Sequence, residues 1–407
     1  MVNDKIRVGI LRETKKPPDP RVPLTPPQTL TFRGRFPHAG LYVQPSDFRG
    51  FKDDEYRYLG QELKEDLSDC DVLLGIKEVD ATTFIPEKIY MFFAHVGKKQ
   101  PYNRHMFREI IKNQITLIDY EYLADNKGRR IIAFGRWAGM VGAYNGLRGM
   151  GMRTGDFNLK PAHLCHDMEE MFAGLKIIPL NPLKILITGG GRVARGAMET
   201  LRVLNIREVS PSEFLEYEFE EPVLTRLDPQ DYVRHQQGRE FDLQHFYKNP
   251  QEYESTFKPY QKVTDLFIAC HYWDPRSPYF VTGEDLKDPD FNISLIADVS
   301  CDLNGPIAST IRPTTIEDPF YDYNPHSGKE EPPFTDGSNI TVMTVDNLPG
   351  ELPRESSREF GQTLLDEVLP YLLDHDRWGI IERATITRNG ALTERFKYLE
   401  DYIEQDS

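Results

Sequence analysis

The chain lacks the features that mark secreted and membrane-spanning proteins. Its four cysteines among 407 residues are far apart and form no CxxC pair, which argues against a disulfide framework. No apolar run approaches the roughly 18 residues that a membrane-spanning helix needs. Met1–Lys5 lead straight into a strand-like segment, without the apolar stretch of a signal peptide. We therefore expect a protein of the reducing cytoplasm with no membrane partner.

Positive charge is also scarce. The 49 basic and 64 acidic residues give a formal net charge of -15 and a pI near 5.2, which argues against nucleic acid as a partner. Hydrophobic residues make up 39% of the sequence, enough for the cores of two or three domains of about 150 residues. A locally basic pocket for a small anion remains compatible with the global charge.

Short apolar runs alternate with amphipathic segments along the first third of the chain. Strands separated by helices in this way are typical of a mainly parallel sheet, so the sequence predicts the α/β class. A second α/β unit begins at an apolar run that precedes a glycine-rich loop. The predicted strands of the first unit include Ile6–Leu11, Asp71–Ile76, Met91–Ala94 and Thr116–Ile118.

The glycine-rich loop follows the apolar run Lys184–Thr188 and precedes a helical pattern. In this loop Gly189 permits a tight turn, and Gly191 lets a pyrophosphate approach the backbone. The small side chain of Ala194 lets the following helix pack against the strand. The loop therefore predicts a dinucleotide site at a helix N-terminus, although a strand-to-helix turn that binds nothing is the alternative.

Other residues around this loop are weaker signals. An acidic residue that contacts the ribose is expected about 20 positions after the loop, where the sequence has Ser210 instead. NAD and NADP are therefore equally compatible with the sequence. Tyr272, which follows a predicted strand ending near Cys270, lies either beside the nicotinamide or in an aromatic cluster without a ligand.

Ionisable residues follow the predicted strands of the first unit. Because strand carboxyl ends face the ligand crevice of an open parallel sheet, Lys77, Glu78 and His95 are expected to lie together. A histidine, or a lysine with a depressed pKa, can move the proton that hydride transfer at a C–N carbon requires. Arg21 is suited to a two-pronged grip on a carboxylate. Each residue alone is more often structural or solvated, so the prediction rests on their combination.

At these residues the chain resembles the alanine dehydrogenase, transhydrogenase and saccharopine dehydrogenase superfamily, and it does so over nearly its whole length. The segments ILRETKKPPDPRVPLTP, GIKE, FFAH, LIDYEYL and GRRIIAFGRWAGMVG follow in the order of that superfamily. Later segments resemble its lysine-ketoglutarate reductase branch more than alanine dehydrogenase. These are CHYWDPRSPYFVT, ADVSCDLNGPI, RPTTIEDPFYDY and TVDNLPGELPRESSREFG.

The resemblance implies two Rossmann-like domains with parallel sheets and an interdomain cleft. The substrate domain would comprise residues 1–140 and be completed by residues 340–407. The dinucleotide-binding domain would comprise residues 141–339, with an insertion at about 208–262 whose role the sequence leaves open.

The resemblance also implies roles for individual residues. Lys77 and His95 would form the acid/base pair, tuned by Glu78 and Glu121. Since the implied substrates are carboxylates, Lys98 and Arg130 are expected to make the cleft locally basic. The implied substrate-binding residues are Arg21, Lys98, Arg130, Phe134 and Asp346. The implied cofactor-binding residues are Gly189, Gly191, Arg192, Val193, Ala194, Cys270, Tyr272 and Asp346.

The activity implied by the resemblance is an NAD(P)-dependent oxidoreductase that interconverts L-lysine plus 2-oxoglutarate and saccharopine by reductive amination. NAD or NADP would be the cofactor, and an amino acid and a keto acid the other partners. An alanine-type dehydrogenase acting on pyruvate and ammonia, and a non-catalytic dinucleotide-binding protein, are the alternatives. A homo-oligomer stays open. We expect no metal site, because His163, Cys165 and His166 have no partner cluster at a useful spacing.

Overall fold

The computed structural model describes residues 5–404, which form two compact units. One unit contains the chain up to Phe134 and the chain from Pro353 onward, and the other is Gly135–Leu352. Residues 1–4, on which part of the signal-peptide argument rests, lie outside the described residues. Every helix within 5–404 is too short or too polar to cross a membrane.

Parallel strands form the core of the first unit. β1 pairs with β2 and β3, β3 with β4, and β4 with β5, all in parallel register. Their carboxyl ends therefore share one edge of the sheet. The elements are β1 (Ile6–Ile10), α1 (Pro26–Arg35), β2 (Ala39–Val43), α2 (Asp53–Tyr58), β3 (Val72–Leu74), β4 (Ile89–Phe92), α3 (Arg104–Lys112) and β5 (Thr116–Asp119).

The second unit begins with a glycine-rich helix that packs closely on the helix after the glycine loop. The first elements of this unit, in chain order, are α4 (Gly135–Thr154), α5 (Met168–Leu175), β6 (Lys184–Thr188), α6 (Arg192–Arg202), β7 (Arg207–Glu208), α7 (Pro211–Glu216) and β8 (Val223–Leu227). A Cβ on Gly139 would lie 1.8 Å from the Val193 carbonyl oxygen, and one on Gly196 would lie 1.9 Å from the Arg136 carbonyl oxygen. The α4–α6 crossing therefore needs glycine on both helices.

The rest of the second unit completes an eight-stranded sheet in the order β14-β13-β15-β12-β11-β6-β8-β7. All its neighbours are parallel except β13 and β14, and β11, β12 and β15 are fully buried, as expected for strands covered on both faces. The elements are α8 (Pro229–Tyr232), β9 (Val233–His235), α9 (Leu243–Lys248), β10 (Tyr253–Ser255), α10 (Lys258–Gln261), β11 (Leu266–Ala269), β12 (Leu295–Asp298), β13 (Phe320–Asn324), β14 (Lys329–Glu331) and β15 (Ile340–Met343).

The stretch 208–262 differs from the single insertion that the sequence suggests. β8 lies inside it and pairs in parallel with β6, as a strand of the main sheet. Acidic residues flank this short apolar run on both sides, so the sequence pattern does not indicate a strand there. Residues 229–262, which carry α8 to α10 and the antiparallel β9–β10 pair, add no strand to the main sheet, and we call them the aromatic segment.

The chain then returns to the first unit. β16 pairs antiparallel with β5, and β17 with β16, which gives the sheet order β17-β16-β5-β4-β3-β1-β2. Residues 135–140 and 340–352, assigned to the substrate domain from the sequence, lie in the second unit, because α4 packs on its sheet and β15 is a strand of that sheet. The final elements are α11 (Pro353–Thr363), a π-helical turn (Leu364–Val368), α12 (Leu369–Leu373), α13 (Ile380–Ala384), β16 (Thr385–Arg388), β17 (Ala391–Leu392) and α14 (Glu400–Glu404).

Candidate active site

The carboxyl ends of four parallel strands in the first unit present ionisable residues along one edge, and three of these strands carry the predicted acid/base residues. Glu13 follows β1, Lys77 and Glu78 follow β3, His95 follows β4 and Glu121 follows β5. The strand order β1-β3-β4-β5 makes these positions neighbours although they are far apart in sequence. The edge is therefore where the first unit gathers its ionisable side chains.

His95 is oriented by Glu78. Its Nδ1 lies 2.7 Å from Glu78 Oε1, and Lys15 Nζ donates to Glu78 Oε2 at 3.1 Å. Burial opposes ionisation of Glu78, but the hydrogen bond and charge of His95 and the charge of Lys15 outweigh it and lower the pKa of Glu78 to about 2. Because an ionised carboxylate only accepts, Nδ1 of His95 carries the hydrogen. Nε2 of a neutral His95 is then the atom that can take up a proton.

Lys77 lies beside this pair, and its backbone is held by a carboxyl group. Glu13 accepts hydrogen bonds from the backbone N–H groups of Ile76 and Lys77 at 2.7 and 2.9 Å. Burial and the Asp19 charge raise the pKa of Glu13 to about 8. Burial, and after it the positive charges of Arg21 and Lys15, lower the pKa of Lys77. A depressed pKa suits a lysine that exchanges a proton near neutral pH.

Arg21 forms a buried ion pair with Asp19. Its Nε and Nη2 donate to the two Asp19 carboxylate oxygens at 2.8 and 2.6 Å, and both side chains are 2% exposed. Burial opposes ionisation of Asp19, but the charge and hydrogen bonds of Arg21 outweigh it and lower the pKa of Asp19 to about 2. The Arg21 guanidinium, which was predicted to bind a substrate carboxylate, thus binds the Asp19 carboxylate here. The sequence did not predict this partner.

Aromatic rings surround the two predicted basic groups. The Arg21 guanidinium lies 4.1 Å from the Phe134 ring centroid, and Phe134 stacks on Phe360 with centroids 4.8 Å apart. The Arg130 guanidinium lies 5.5 Å from the Phe93 centroid, and Phe93 stacks on His95 at 6.1 Å. The predicted residues Phe134 and Arg130 therefore adjoin this edge. Phe93 and Phe360, which the sequence did not predict as site residues, adjoin it as well.

Glu121 and Lys98 complete the predicted set of the first unit. Glu121 Oε1 lies 3.9 Å from Arg130 Nη1, and its backbone N–H donates to Asp119 at 2.8 Å. Burial raises the pKa of Asp119 to about 6. Lys98 is exposed on the short turn after His95. The roles of all these residues stay predictions.

The glycine loop of the second unit has the geometry of a phosphate cradle. Gly189 has a φ of +99°, and a Cβ there would lie 2.7 Å from the Cys270 carbonyl oxygen. A Cβ on Gly191 would meet no atom within 4 Å, which leaves open space before the N-terminus of α6. The first turn of α6 is Arg192, Val193 and the buried Ala194. These features fit a dinucleotide pyrophosphate.

Cys270, Tyr272 and Asp346 follow strands of the same sheet. Cys270 is buried, which raises the pKa of its thiol, and its carbonyl oxygen faces Gly189. Asp346 is exposed three residues after β15. Burial, with the charges of Asp298 and Asp346, raises the pKa of the Cys301 thiol to about 12, so Asp346 lies near the end of β12 as well. Tyr272 is exposed.

An acidic residue that the sequence argument missed lies beside the glycine loop. Asp228 follows β8, and a Cβ on Gly190 would lie 2.5 Å from Asp228 Oδ1. Arg226 donates to both Asp228 oxygens at 2.5 and 2.9 Å and to the Gly189 carbonyl oxygen at 3.1 Å. Asp228 lies beyond the expected spacing of about 20 residues because β7 and α7 intervene. The sequence signal that identifies Asp228 is the run Val223–Leu227 followed directly by Asp-Pro.

A group of three metal-ligand side chains within residues 5–404 lies in the aromatic segment. The ligand atoms of His235, His245 and Glu252 are all within 4.8 Å of one another. The backbone N–H of Gln237 donates to His235 Nδ1 at 3.0 Å, so a neutral His235 carries its hydrogen on Nε2. That Nε2 faces Glu252 Oε2 at 3.3 Å. The buried His235 Nε2 makes no hydrogen bond, so hydrogen bonding accounts for only part of this group.

Comparison with known proteins gives consistent matches. The model "Alanine dehydrogenase/PNT, N-terminal domain" matches residues 9–141. Alpha-aminoadipic semialdehyde synthase of Arabidopsis thaliana is 30% identical over 96% of this chain, and the mitochondrial rat protein of that name is 31% identical over 89%. The chain spans only 41% and 44% of those two proteins. Saccharopine dehydrogenase [NAD(+), L-lysine-forming] of Emericella nidulans is 28% identical over 88% of this chain and 90% of its own length.

The chain belongs to the alanine dehydrogenase, transhydrogenase and saccharopine dehydrogenase superfamily. Solved structures of this superfamily have the same fold. An L-alanine dehydrogenase covers 98% of this chain and 99% of its own with a TM-score of 0.67 at 15% identity. The transhydrogenase of Sinorhizobium meliloti covers 95% and 98% with a TM-score of 0.59 at 13% identity. The superfamily and the α/β fold with two largely parallel sheets, both expected from the sequence, are thus confirmed.

Proposed function

We propose that the chain is an NAD(P)-dependent oxidoreductase that joins L-lysine and 2-oxoglutarate into saccharopine and catalyses the reverse reaction. The observation that carries this proposal is the His95–Glu78 pair, which lies beside Lys77 at one edge of the sheet. The pKa of Lys77 and the pKa of Glu78 are both lowered. The names of the matched relatives, alpha-aminoadipic semialdehyde synthase and lysine-forming saccharopine dehydrogenase, support lysine chemistry. We also propose that it acts in the cytoplasm.

The first part of the reaction makes a C–N bond and expels water. The ε-amine of lysine attacks the keto carbon of 2-oxoglutarate, and one proton moves from nitrogen to oxygen to give a carbinolamine. His95 Nε2 and Lys77 Nζ are the groups that move protons in this step and in the loss of water that gives the imine. Arg130 contributes positive charge for the substrate carboxylates, whereas the charge of Arg21 is balanced by Asp19.

The second part adds hydride to the carbon of the protonated imine and gives the secondary amine; NADH or NADPH, when bound, would supply that hydride. The first turn of α6 and the glycine loop would hold the pyrophosphate, since Gly191 leaves open space before that helix. Asp228 lies where the ribose hydroxyls of the adenosine half are expected. Glu78 keeps the His95 ring oriented throughout, because its carboxylate stays ionised at neutral pH.

The test is coenzyme oxidation by the purified chain with the amine and the keto acid varied. We expect oxidation of NADH or NADPH with lysine plus 2-oxoglutarate, and little with either substrate alone. Oxidation with pyruvate plus ammonia instead would assign the chain to the alanine type. If neither coenzyme is oxidised with lysine and 2-oxoglutarate, the proposed substrates are wrong.

Asp228→Ala is expected to shift coenzyme preference towards the phosphorylated form. The Asp228 carboxylate repels a ribose 2′-phosphate, and its removal also releases Arg226 from their ion pair. We expect the ratio of kcat/KM for NADPH to that for NADH to rise about tenfold or more over the unsubstituted chain. Steady-state kinetics with both coenzymes measures it. Asp290→Ala, at an exposed carboxylate paired with Lys262, is the matched control. An unchanged ratio in Asp228→Ala contradicts the assignment.

A further inference from the structure

Three side chains of the aromatic segment bring their metal-ligand atoms close together. His235 ends β9, His245 lies in α9, and Glu252 lies in the turn just before β10. His235 Nε2 lies 3.3 Å and His245 Nε2 lies 3.9 Å from the same oxygen, Glu252 Oε2. Two ligands of a tetrahedral zinc ion lie about 3.3 Å apart, so the group needs only a small movement to close around an ion.

The burial of His235 is an independent indication of a ligand. Its side chain is 2% exposed, and its Nε2 makes no hydrogen bond although it faces Glu252 Oε2. A buried polar atom without a partner is costly, and a bound ion is one of the few things that account for it. The side chains of His245 and Glu252 are 34% and 41% exposed, so an ion can enter from solvent and keep a water as a further ligand.

The hydrogen bonds of His245 leave a lone pair on its Nε2. His245 Nδ1 lies 3.1 Å from Tyr253 Oη, and Tyr253 Oη donates to the Asp242 carbonyl oxygen at 3.5 Å. Because the Tyr253 hydrogen is used in this way, its oxygen accepts the hydrogen of His245 Nδ1. The lone pair of a neutral His245 is then on Nε2, which faces Glu252. A histidine that binds a metal through one ring nitrogen donates from the other to an oxygen in this manner.

His235 binds a metal through Nε2 once its hydrogen moves from Nε2 to Nδ1. The backbone N–H of Gln237, which donates to Nδ1 at 3.0 Å, must then turn away. That N–H belongs to the central peptide of an exposed β-turn, which the Gly238 N–H closes on the His235 carbonyl oxygen at 2.9 Å. Type I and type II turns differ chiefly in the orientation of this peptide, so it can turn over while the closing bond stays.

We propose that His235, His245 and Glu252 bind a divalent transition-metal ion of the zinc type. Two imidazoles and a carboxylate are ligands that Zn²⁺ accepts, with water in the fourth position. The ion joins β9, α9 and the turn before β10, and so clamps residues 236–251 of the aromatic segment. The site belongs to the second unit, whereas the proposed acid/base residues belong to the first, so its role is structural.

The test is isothermal titration of the untagged chain, stripped of metal, with Zn²⁺ alone. The unsubstituted chain is expected to bind one zinc ion saturably. His245→Ala and Glu252→Gln are each expected to raise the Kd about tenfold or more, since changes around a metal site short of ligand loss already cost that much. His326→Ala, at an exposed histidine in the β13–β14 turn, is the matched control and is expected to leave the Kd unchanged. No saturable binding, or an unchanged Kd in both ligand variants, would overturn the proposal.

Limited proteolysis tests the clamp. Arg239 is exposed and lies between His235 and His245 in the sequence, so trypsin can cleave after it when the segment opens. Because an ion that binds the closed segment opposes opening, saturating zinc is expected to slow this cleavage about threefold or more in the unsubstituted chain and in His326→Ala. No slowing is expected in His245→Ala. Cleavage of the unsubstituted chain at the same rate with and without zinc would overturn the structural role.

Discussion

Lys77→Met is expected to lower kcat for the reductive condensation about 10²- to 10⁴-fold, the range for loss of a positioned acid/base group. Methionine keeps the unbranched apolar stem of lysine and removes only the titratable amine. Burial and the charges of Arg21 and Lys15 lower the pKa of Lys77, which favours the neutral amine that a proton acceptor needs. Stopped-flow or steady-state coenzyme oxidation at saturating lysine and 2-oxoglutarate measures the loss.

Two further variants decide whether this loss is specific. His95→Gln keeps a polar group near Glu78 but removes the titrating ring, so we expect a loss of the same order. Lys112→Met removes an exposed lysine on α3 and is expected to have no effect on kcat. Turnover within about threefold of the unsubstituted chain in both Lys77→Met and His95→Gln would contradict the acid/base assignment.

Asp19→Ala is expected to lower the free energy of unfolding by about 3–5 kcal/mol, because it removes the carboxylate that balances the charge of the buried Arg21 guanidinium. Arg21 and Asp19 are both 2% exposed and form a two-pronged ion pair. The chain contains its own matched control in a second Asp-Pro-Arg segment. There Arg276 donates to both Asp274 oxygens at 2.9 Å, but the Arg276 side chain is 54% exposed.

The two Asp-Pro-Arg segments thus have the same local sequence and pairing and differ in burial. Asp274→Ala is expected to cost only about 0–1 kcal/mol, as exposed ion pairs do. Urea denaturation of both variants at neutral pH measures the difference. Equal losses in Asp19→Ala and Asp274→Ala would show that burial of the Arg21–Asp19 pair has no energetic consequence.

At acidic pH, Asp19→Ala should lower the free energy of unfolding by less than it does at neutral pH. The pKa of Asp19 is lowered to about 2 in the folded chain, below the value near 3.9 of an unfolded aspartate. Its stabilising contribution is therefore present above about pH 4 and is lost as the pH falls towards 2. The gap in unfolding free energy between the unsubstituted chain and Asp19→Ala is expected to narrow between pH 5 and about 2.5.

The sequence predicted those parts of the fold and site that depend on local patterns. The strand Lys184–Thr188 and the glycine loop after it are contiguous, and their order alone indicates the turn that the structure shows. Likewise, Lys77 and His95 each follow an apolar run directly. Alternation of strands and helices then places both residues at the same sheet edge.

Partners that depend on tertiary packing were not predictable in this way. Phe360 stacks on Phe134 although more than 200 residues separate them, and no periodicity links the two. Asp228 was not predicted as a site residue because β8 is a short apolar run inside an acidic stretch, and such a stretch is typical of a solvated face. The ion pair between Asp19 and Arg21 is local, but its burial is decided by the surrounding fold.

The most direct test of the central claim is identification of the product. The purified chain, given L-lysine, 2-oxoglutarate and NADH or NADPH, is analysed by mass spectrometry for the C–N linked product alongside the coenzyme consumed. The proposed function predicts saccharopine in an amount equal to the coenzyme oxidised. Coenzyme oxidation without saccharopine, or no oxidation with either coenzyme, would contradict it.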